Sequence, residues 1–120
     1  MNKVYTKQDL DVELKKNHKV LALFYASWCP FCVGFVPTFD KTVAKMSFEK
    51  VIHVLLDDYD NPLWDDYCVP AVPTIIFFED SKVCKRLDAQ LGRGLSEVAF
   101  KKWIEEFKSK WYLKISLMFF

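Results

Sequence analysis

Neither sign of charge dominates this chain: seventeen lysines and arginines stand against sixteen aspartates and glutamates, a net charge of +1 over 120 residues. So near a balance leaves no electrostatic footprint for a nucleic-acid backbone, and no nucleic-acid partner is expected. Cysteine is sparse. Cys29, Cys32, Cys68 and Cys84 are the four in the chain, too few for a disulfide-dense scaffold. The opening MNKVYTKQDLDVELKKN is charged and has no apolar run of the kind a secretory signal needs. An intracellular, cytoplasmic protein is therefore expected, where thiols stay reduced and disulfides are mostly catalytic. No repeat, low-complexity tract or long linker interrupts the chain, which reads as one domain over 1–110. The apolar tail, 111–120, is too short for a bilayer, which takes about 20 apolar residues. Packing on the domain is its default role, with dimer contacts or a membrane surface as alternatives. The expectation is a monomer without a membrane partner.

What the chain does have is apolar residues, 52% of the total, with 17% aromatic, enough to bury a core. Thr6 to Asp9 forms an N-terminal capping pattern, with Leu10 and Leu14 one helical turn apart. KVLALFYA (19–26) is a continuous apolar run of strand length, as suits a strand covered on both faces. Phe35, Phe39, Val43 and Met46 then recur at helical spacing, and Pro37 inside that helix predicts a kink. KVIHVLLD (50–57) reads as a second buried strand, and Pro62 as a first helical position. TIIFFED (74–80) and KVCKRLDAQL (82–91) read as strands joined by a polar turn. Ser96 is placed to cap a last helix with Phe100, Trp103, Ile104 and Phe107 on its inner stripe. The order β–α–β–α–β–α–β–β–α implies α/β layering around a mixed sheet of four to five strands, flanked by helices on both faces.

The chemistry concentrates in LALFYASWCPFCVGFVP (21–37). A strand ends near Ala26, Ser27 and Trp28 make a short turn, and a helix starts about Cys29. At a helix N-terminus, unpaired N–H groups and the positive dipole end favour a thiolate. Such settings bring a cysteine from about 8.5 to roughly 3.5–7.5. Pro30 suits an early helical position, and Cys32 lies nearly one turn later on the same side. That geometry suits a cycle in which Cys29 attacks a disulfide and Cys32 resolves the mixed species. Half of a zinc site is the first alternative, but no second Cys-x-x-Cys or His-x-His pair accompanies it. Two inert core cysteines are the second, opposed by the partial exposure expected of Trp-Cys-Pro at a strand-to-helix turn.

Trp28-Cys29-Pro30-Phe31-Cys32 resembles the active-site motif of the thioredoxin superfamily. Pro37 falls where that family has its helix-kinking proline. Asp60-Asn61-Pro62, Tyr67 and Val72-Pro73-Thr74 resemble the series ending in its cis-proline, and Gly92 with Leu95-Ser96 its last strand–helix junction. The resemblance covers roughly 3 to 108. It implies the thioredoxin fold, a cis Pro73 facing the Cys29–Cys32 pair, and a docking surface of Trp28, Pro30, Phe31, Val72 and Pro73. The Val72 backbone would pair with an extended substrate chain. It further implies a thiol–disulfide oxidoreductase acting on protein disulfides, needing no cofactor or metal, with electrons from a disulfide reductase or a small thiol.

Three departures from the family pattern carry expectations of their own. The buried acid, six residues before the first cysteine, is replaced by Leu23, and the lysine that accompanies it by Leu55. Resolution is then expected to be slow, with Cys32 holding its proton in an apolar surround. Phe24-Tyr25-Ala26 and Gly92-Arg93 resemble protein disulfide isomerase domains, in which an arginine at the position of Arg93 lowers the resolving cysteine's pKa. The alternative for Arg93 is a solvated surface residue. Pro30-Phe31 between the cysteines is neither Gly-Pro nor Gly-His. A first proline is seen in glutaredoxins and periplasmic thiol oxidases. A thioredoxin-type reductase is the leading reading. The others are a glutaredoxin-like or isomerase-like enzyme, a peptide-binding module without catalysis, and a cluster shared between protomers through Cys29. Cys68 and Cys84 are expected to pack, with a regulatory thiol the minority role for Cys68. His18 and His53 show no ligand spacing and are read as structural or surface.

Overall fold

A computed structural model describes residues 2–106. Phe107 of the last helix's stripe, the domain limit at 110 and the 111–120 tail lie outside the described residues. Strands β1 (Asn2–Val4), β2 (Lys19–Tyr25), β3 (Lys50–Leu55), β4 (Thr74–Glu79) and β5 (Lys82–Asp88) alternate with helices α1 (Lys7–Lys16), α2 (Pro30–Ala44) and α3 (Leu63–Asp66). A further helix, α4, covers 97–106. The element order is the one expected.

The strands form one mixed sheet in the order β1-β3-β2-β4-β5, parallel between β1, β3 and β2 and antiparallel from β2 through β4 to β5. Val20 to Tyr25 are all buried. Successive side chains point to opposite faces, so β2 is covered on both sides, as its unbroken apolar run required. On one side α2 and α4 meet β3: Phe100 lies 5.1 Å from Phe35 and 5.8 Å from Phe39, which in turn stands 6.1 Å from the His53 ring. On the other, Tyr67 bridges Phe24 and Phe78 at 5.7 and 5.5 Å. Burying each such ring contributes about 2 kcal/mol.

Local signals set the boundaries. Thr6 Oγ1 accepts the Asp9 N–H at 3.1 Å, and Ser96 Oγ the Ala99 N–H at 3.0 Å, so both hydroxyl caps act as read. Helix α2 runs unbroken through Pro37. Pro62 is the N-cap of α3 rather than its first residue, since the Asn61 side chain already takes the Leu63 N–H at 3.0 Å. The β4–β5 turn is two residues, Asp80 and Ser81, both at positive φ (53° and 68°), which matches the twist of a tight hairpin.

Two expectations fail here. Cys84 and Cys68 are exposed rather than packed. Cys84 lies in the exposed first half of the edge strand, at a bulge where Phe77 and Phe78 pair with Lys85 and Val83 and leave it without a cross-strand partner. Cys68 sits in the loop after α3 at φ 50°, a conformation that turns the chain outward instead of burying its side chain.

Candidate active site

The cysteine pair is built by the way β2 hands over to α2. Cys29 is the N-cap (φ −87°, ψ 118°), its N–H bonds Ala26 O at 3.2 Å, and its carbonyl accepts the N–H groups of Cys32 and Val33, each at 3.1 Å. Pro30 takes the first helical position, where its missing N–H has no partner to lose. Both cysteines are free thiols. They are more deeply set than expected: Cys29 is 5% exposed and Cys32 fully buried. The cause is the cis-proline loop, which closes over the helix start. The Val72–Pro73 bond is cis, and the Cys29 thiol points at Val72 O, 3.8 Å away. Thr74 Oγ1 and the Arg86 guanidinium brace this loop through the carbonyls of Ala71 (2.7 Å) and Tyr67 (2.8 Å).

The turn before the pair is held by Asp57, a residue that sequence reasoning missed. Its carboxylate accepts from Ser27 N and Ser27 Oγ, both at 2.7 Å, and its carbonyl from Trp28 Nε1 at 2.9 Å. Only the parallel pairing of β2 with β3 brings residue 57 alongside residue 27, so no local signal could have found it. Trp28 and Phe31 stand out at the rim, 46% and 48% exposed. Gly94, at φ 70°, lies so close that a Cβ there would come within 2.7 Å of Phe31 Cγ. A third loop thus abuts the site. Arg93, beside Gly94 in that loop, is exposed, and the cis-proline loop brings Val72 against Cys29.

Beneath the pair the surround is apolar. Leu23 is fully buried and Leu55 nearly so. Burial pushes the Cys32 thiol up to about 12, helped by the Cys29 thiol and Asp57 and opposed by a hydrogen bond from the Ala26 backbone. This is the direction expected of an apolar surround. The sheet does keep polar groups on the face toward α2. Tyr25 OH lies 3.1 Å from His53 Nδ1, and His53 Nε2 lies 2.9 Å from Asp40 Oδ1 on α2. An ionised carboxylate only accepts, so Nε2 carries a proton, and in the neutral ring the tyrosine donates to Nδ1. His53 is therefore structural; His18 is exposed and paired with Asp80 and Glu79.

Among the described residues no group of three His, Cys, Asp or Glu side chains gathers as metal ligands, and no helix is long and apolar enough to cross a membrane. Two neighbouring thiols at a helix N-terminus can exchange with a disulfide. Comparison with known proteins agrees. The family model described as Thioredoxin matches residues 1–106. The chain is 31% identical to a thioredoxin of Mycoplasmoides gallisepticum, over 72% of this chain and 85% of that protein. It is 29% identical to a probable protein disulfide-isomerase A4 of Caenorhabditis elegans, over 85% of this chain but 16% of that one. In structure it is similar to a mutant thioredoxin from Halobacterium salinarum, with TM-score 0.63, 30% identity, and coverage of 88% and 89% of the two chains.

Proposed function

The chain belongs to the thioredoxin family and is a thiol–disulfide oxidoreductase, and from that premise we propose that it reduces protein disulfides through Cys29 and Cys32. Cys29, as thiolate, attacks one sulfur of the substrate disulfide; that bond breaks, a mixed disulfide forms, and the departing sulfur takes a proton. Cys32 then loses its proton and attacks Cys29. The substrate leaves with two electrons as a dithiol, and the enzyme holds a Cys29–Cys32 disulfide. A disulfide reductase or a small thiol returns the two electrons. Trp28, Pro30, Phe31, Val72 and Pro73 form the docking surface, on which an extended substrate segment pairs with the Val72 backbone. Arg93, on a neighbouring turn, is proposed to approach Cys32 only when that loop moves.

The observation that carries this reading is the 3.8 Å approach of the Cys29 thiol to Val72 O, which sets nucleophile and strand-docking backbone side by side. An isomerase-like role is the second reading, favoured by Phe24-Tyr25-Ala26 before the motif and by the Caenorhabditis relative. Equilibration in graded thiol–disulfide buffers, followed by tryptophan fluorescence and thiol alkylation, separates the two. A midpoint near about −270 mV supports the reductase, and one above about −200 mV the isomerase or oxidant. A pair that never closes reversibly defeats both.

A further inference from the structure

Beside Cys29 the surface carries three aromatic rings in a row. Trp28 and Tyr59 have centroids 5.0 Å apart, and Tyr59 and Trp64 stack at 6.3 Å with 16° between their planes. Tyr59 is 76% exposed. The two indoles at either end are pinned: the Trp28 indole N–H bonds Asp57 O at 2.9 Å and the Trp64 indole N–H bonds Asp58 O at 3.1 Å, with Tyr59 between them. The redox site needs only the first ring. Nothing in the chemistry of the cysteine pair accounts for the other two.

The same segment is strongly acidic within a nearly neutral chain. Residues 57–66 contain Asp57, Asp58, Asp60, Asp65 and Asp66, all exposed, and no lysine or arginine. The Asp57 carboxylate is occupied by Ser27, Asp58 Oδ1 accepts the Asp60 N–H at 2.9 Å, and Lys7 reaches Asp66 at 3.6 Å. Among the described residues no cation pairs with Asp60 or Asp65. Open ring faces and unpaired carboxylates favour one kind of group, a planar cation that stacks on the rings while its edge meets the acids.

We propose that the Trp28–Tyr59–Trp64 ladder and its aspartates select protein disulfides that carry an arginine close to the attacked cysteine. The inference rests on the reductase reading above and names its substrate class. From the two centroid distances the ladder extends at most about 11 Å from Trp28. At about 3.3 Å per extended residue, the arginine falls within about two to four positions of the substrate cysteine. A rigid, prestacked surface loses little freedom on binding, so the contact adds to selectivity without a conformational step.

The test uses the whole protein and three disulfide-bonded peptides differing at one position, about three residues from the cysteine, where they carry Arg, Phe or Glu. At about 50 mM salt, kcat/KM for the Arg peptide is expected to exceed that for the Glu peptide about tenfold, with Phe between them. The ratio should shrink severalfold at about 500 mM salt, since exposed charges are screened. Tyr59→Leu and the double change Asp60→Asn/Asp65→Asn should each lower the Arg-to-Glu ratio, whereas Tyr59→Phe, which keeps a ring face, should restore it. Because the ratio is taken within one variant, partial unfolding does not move it. Equal turnover of all three peptides overturns the ladder's role and leaves the reductase reading standing. A Phe peptide that outpaces Arg overturns the acidic part and makes the ladder an apolar site. No turnover of any peptide removes the reductase reading, and this inference with it.

Discussion

Leu23 is fully buried on the sheet face toward α2, in register with His53, and its replacement isolates what the missing acid does. With the Cys32 thiol raised to about 12, almost none is ionised at neutral pH, so the resolving step waits on proton loss. Leu23→Asp puts a base within this apolar pocket and is expected to speed resolution of a preformed mixed disulfide about tenfold or more. Stopped-flow release of the substrate thiol reads this directly, and an unchanged rate would sink the idea. The same variant should be less stable by about 3 kcal/mol at pH 7, because Leu55 offers the new carboxylate no partner. The sign follows from burial, which raises the folded pKa of that Asp above about 3.9. The protonated form is the better tolerated one, so the pH-dependent part of the loss is absent in acid, grows as pH rises above about 3.9, and levels off above the folded value. At this scale the Cys29–Cys32 pair was legible from local spacing, whereas the cis Val72–Pro73 bond was implied only by the family resemblance. Asp57 was not legible, because the partner it serves is thirty positions away.

Elements are joined by the chain of contacts from Tyr25 on β2, through His53 on β3, to Asp40 on α2. His53 and Tyr25 are 5% and 8% exposed, and a buried acceptor left without its donor loses about 1–3 kcal/mol. Tyr25→Phe leaves His53 Nδ1 in that condition and should lower the urea midpoint accordingly. Tyr25→Phe/His53→Leu removes donor and acceptor together. It should recover most of the loss, since Asp40 is part exposed and can be hydrated. If the double variant is no better than the single, the contact holds nothing together. The elements themselves were readable: the continuous apolar run 19–26 and the segment 74–80 each overshot their strands by one residue, and the helical recurrence of Phe35, Phe39 and Val43 marked α2. Periodicity failed at Cys84 because an edge strand and an inner strand carry the same apolar alternation. Only the strand order, β5 outermost, tells which has no neighbour on its far side. His53 was hidden for the opposite reason: its partners lie on two other elements.

For the molecule as a whole, the shifted groups all point one way. Burial raises Cys32, Tyr25 and Tyr67 alike, with Asp40 adding at Tyr25 and Asp11 at Tyr67. A group with a raised folded pKa stabilises the native state in full below its unfolded value, and that contribution is lost as pH climbs toward the folded one. The reduced protein should therefore weaken progressively above pH about 8.5, the ordinary value for a thiol, with the tyrosines adding from about 10. The share of Cys32 can be isolated in a Cys29→Ser background, where it is the one thiol left of the pair. Serine at position 32 has no proton to lose in this range, and the tyrosine contributions are common to both variants and cancel. Between pH 7 and 10 Cys29→Ser should thus lose about 2 kcal/mol more than Cys29→Ser/Cys32→Ser, measured as the change in unfolding free energy. Equal losses would mean that Cys32 ionises as readily folded as unfolded. The apolar floor made by Leu23 would then be no barrier to resolution.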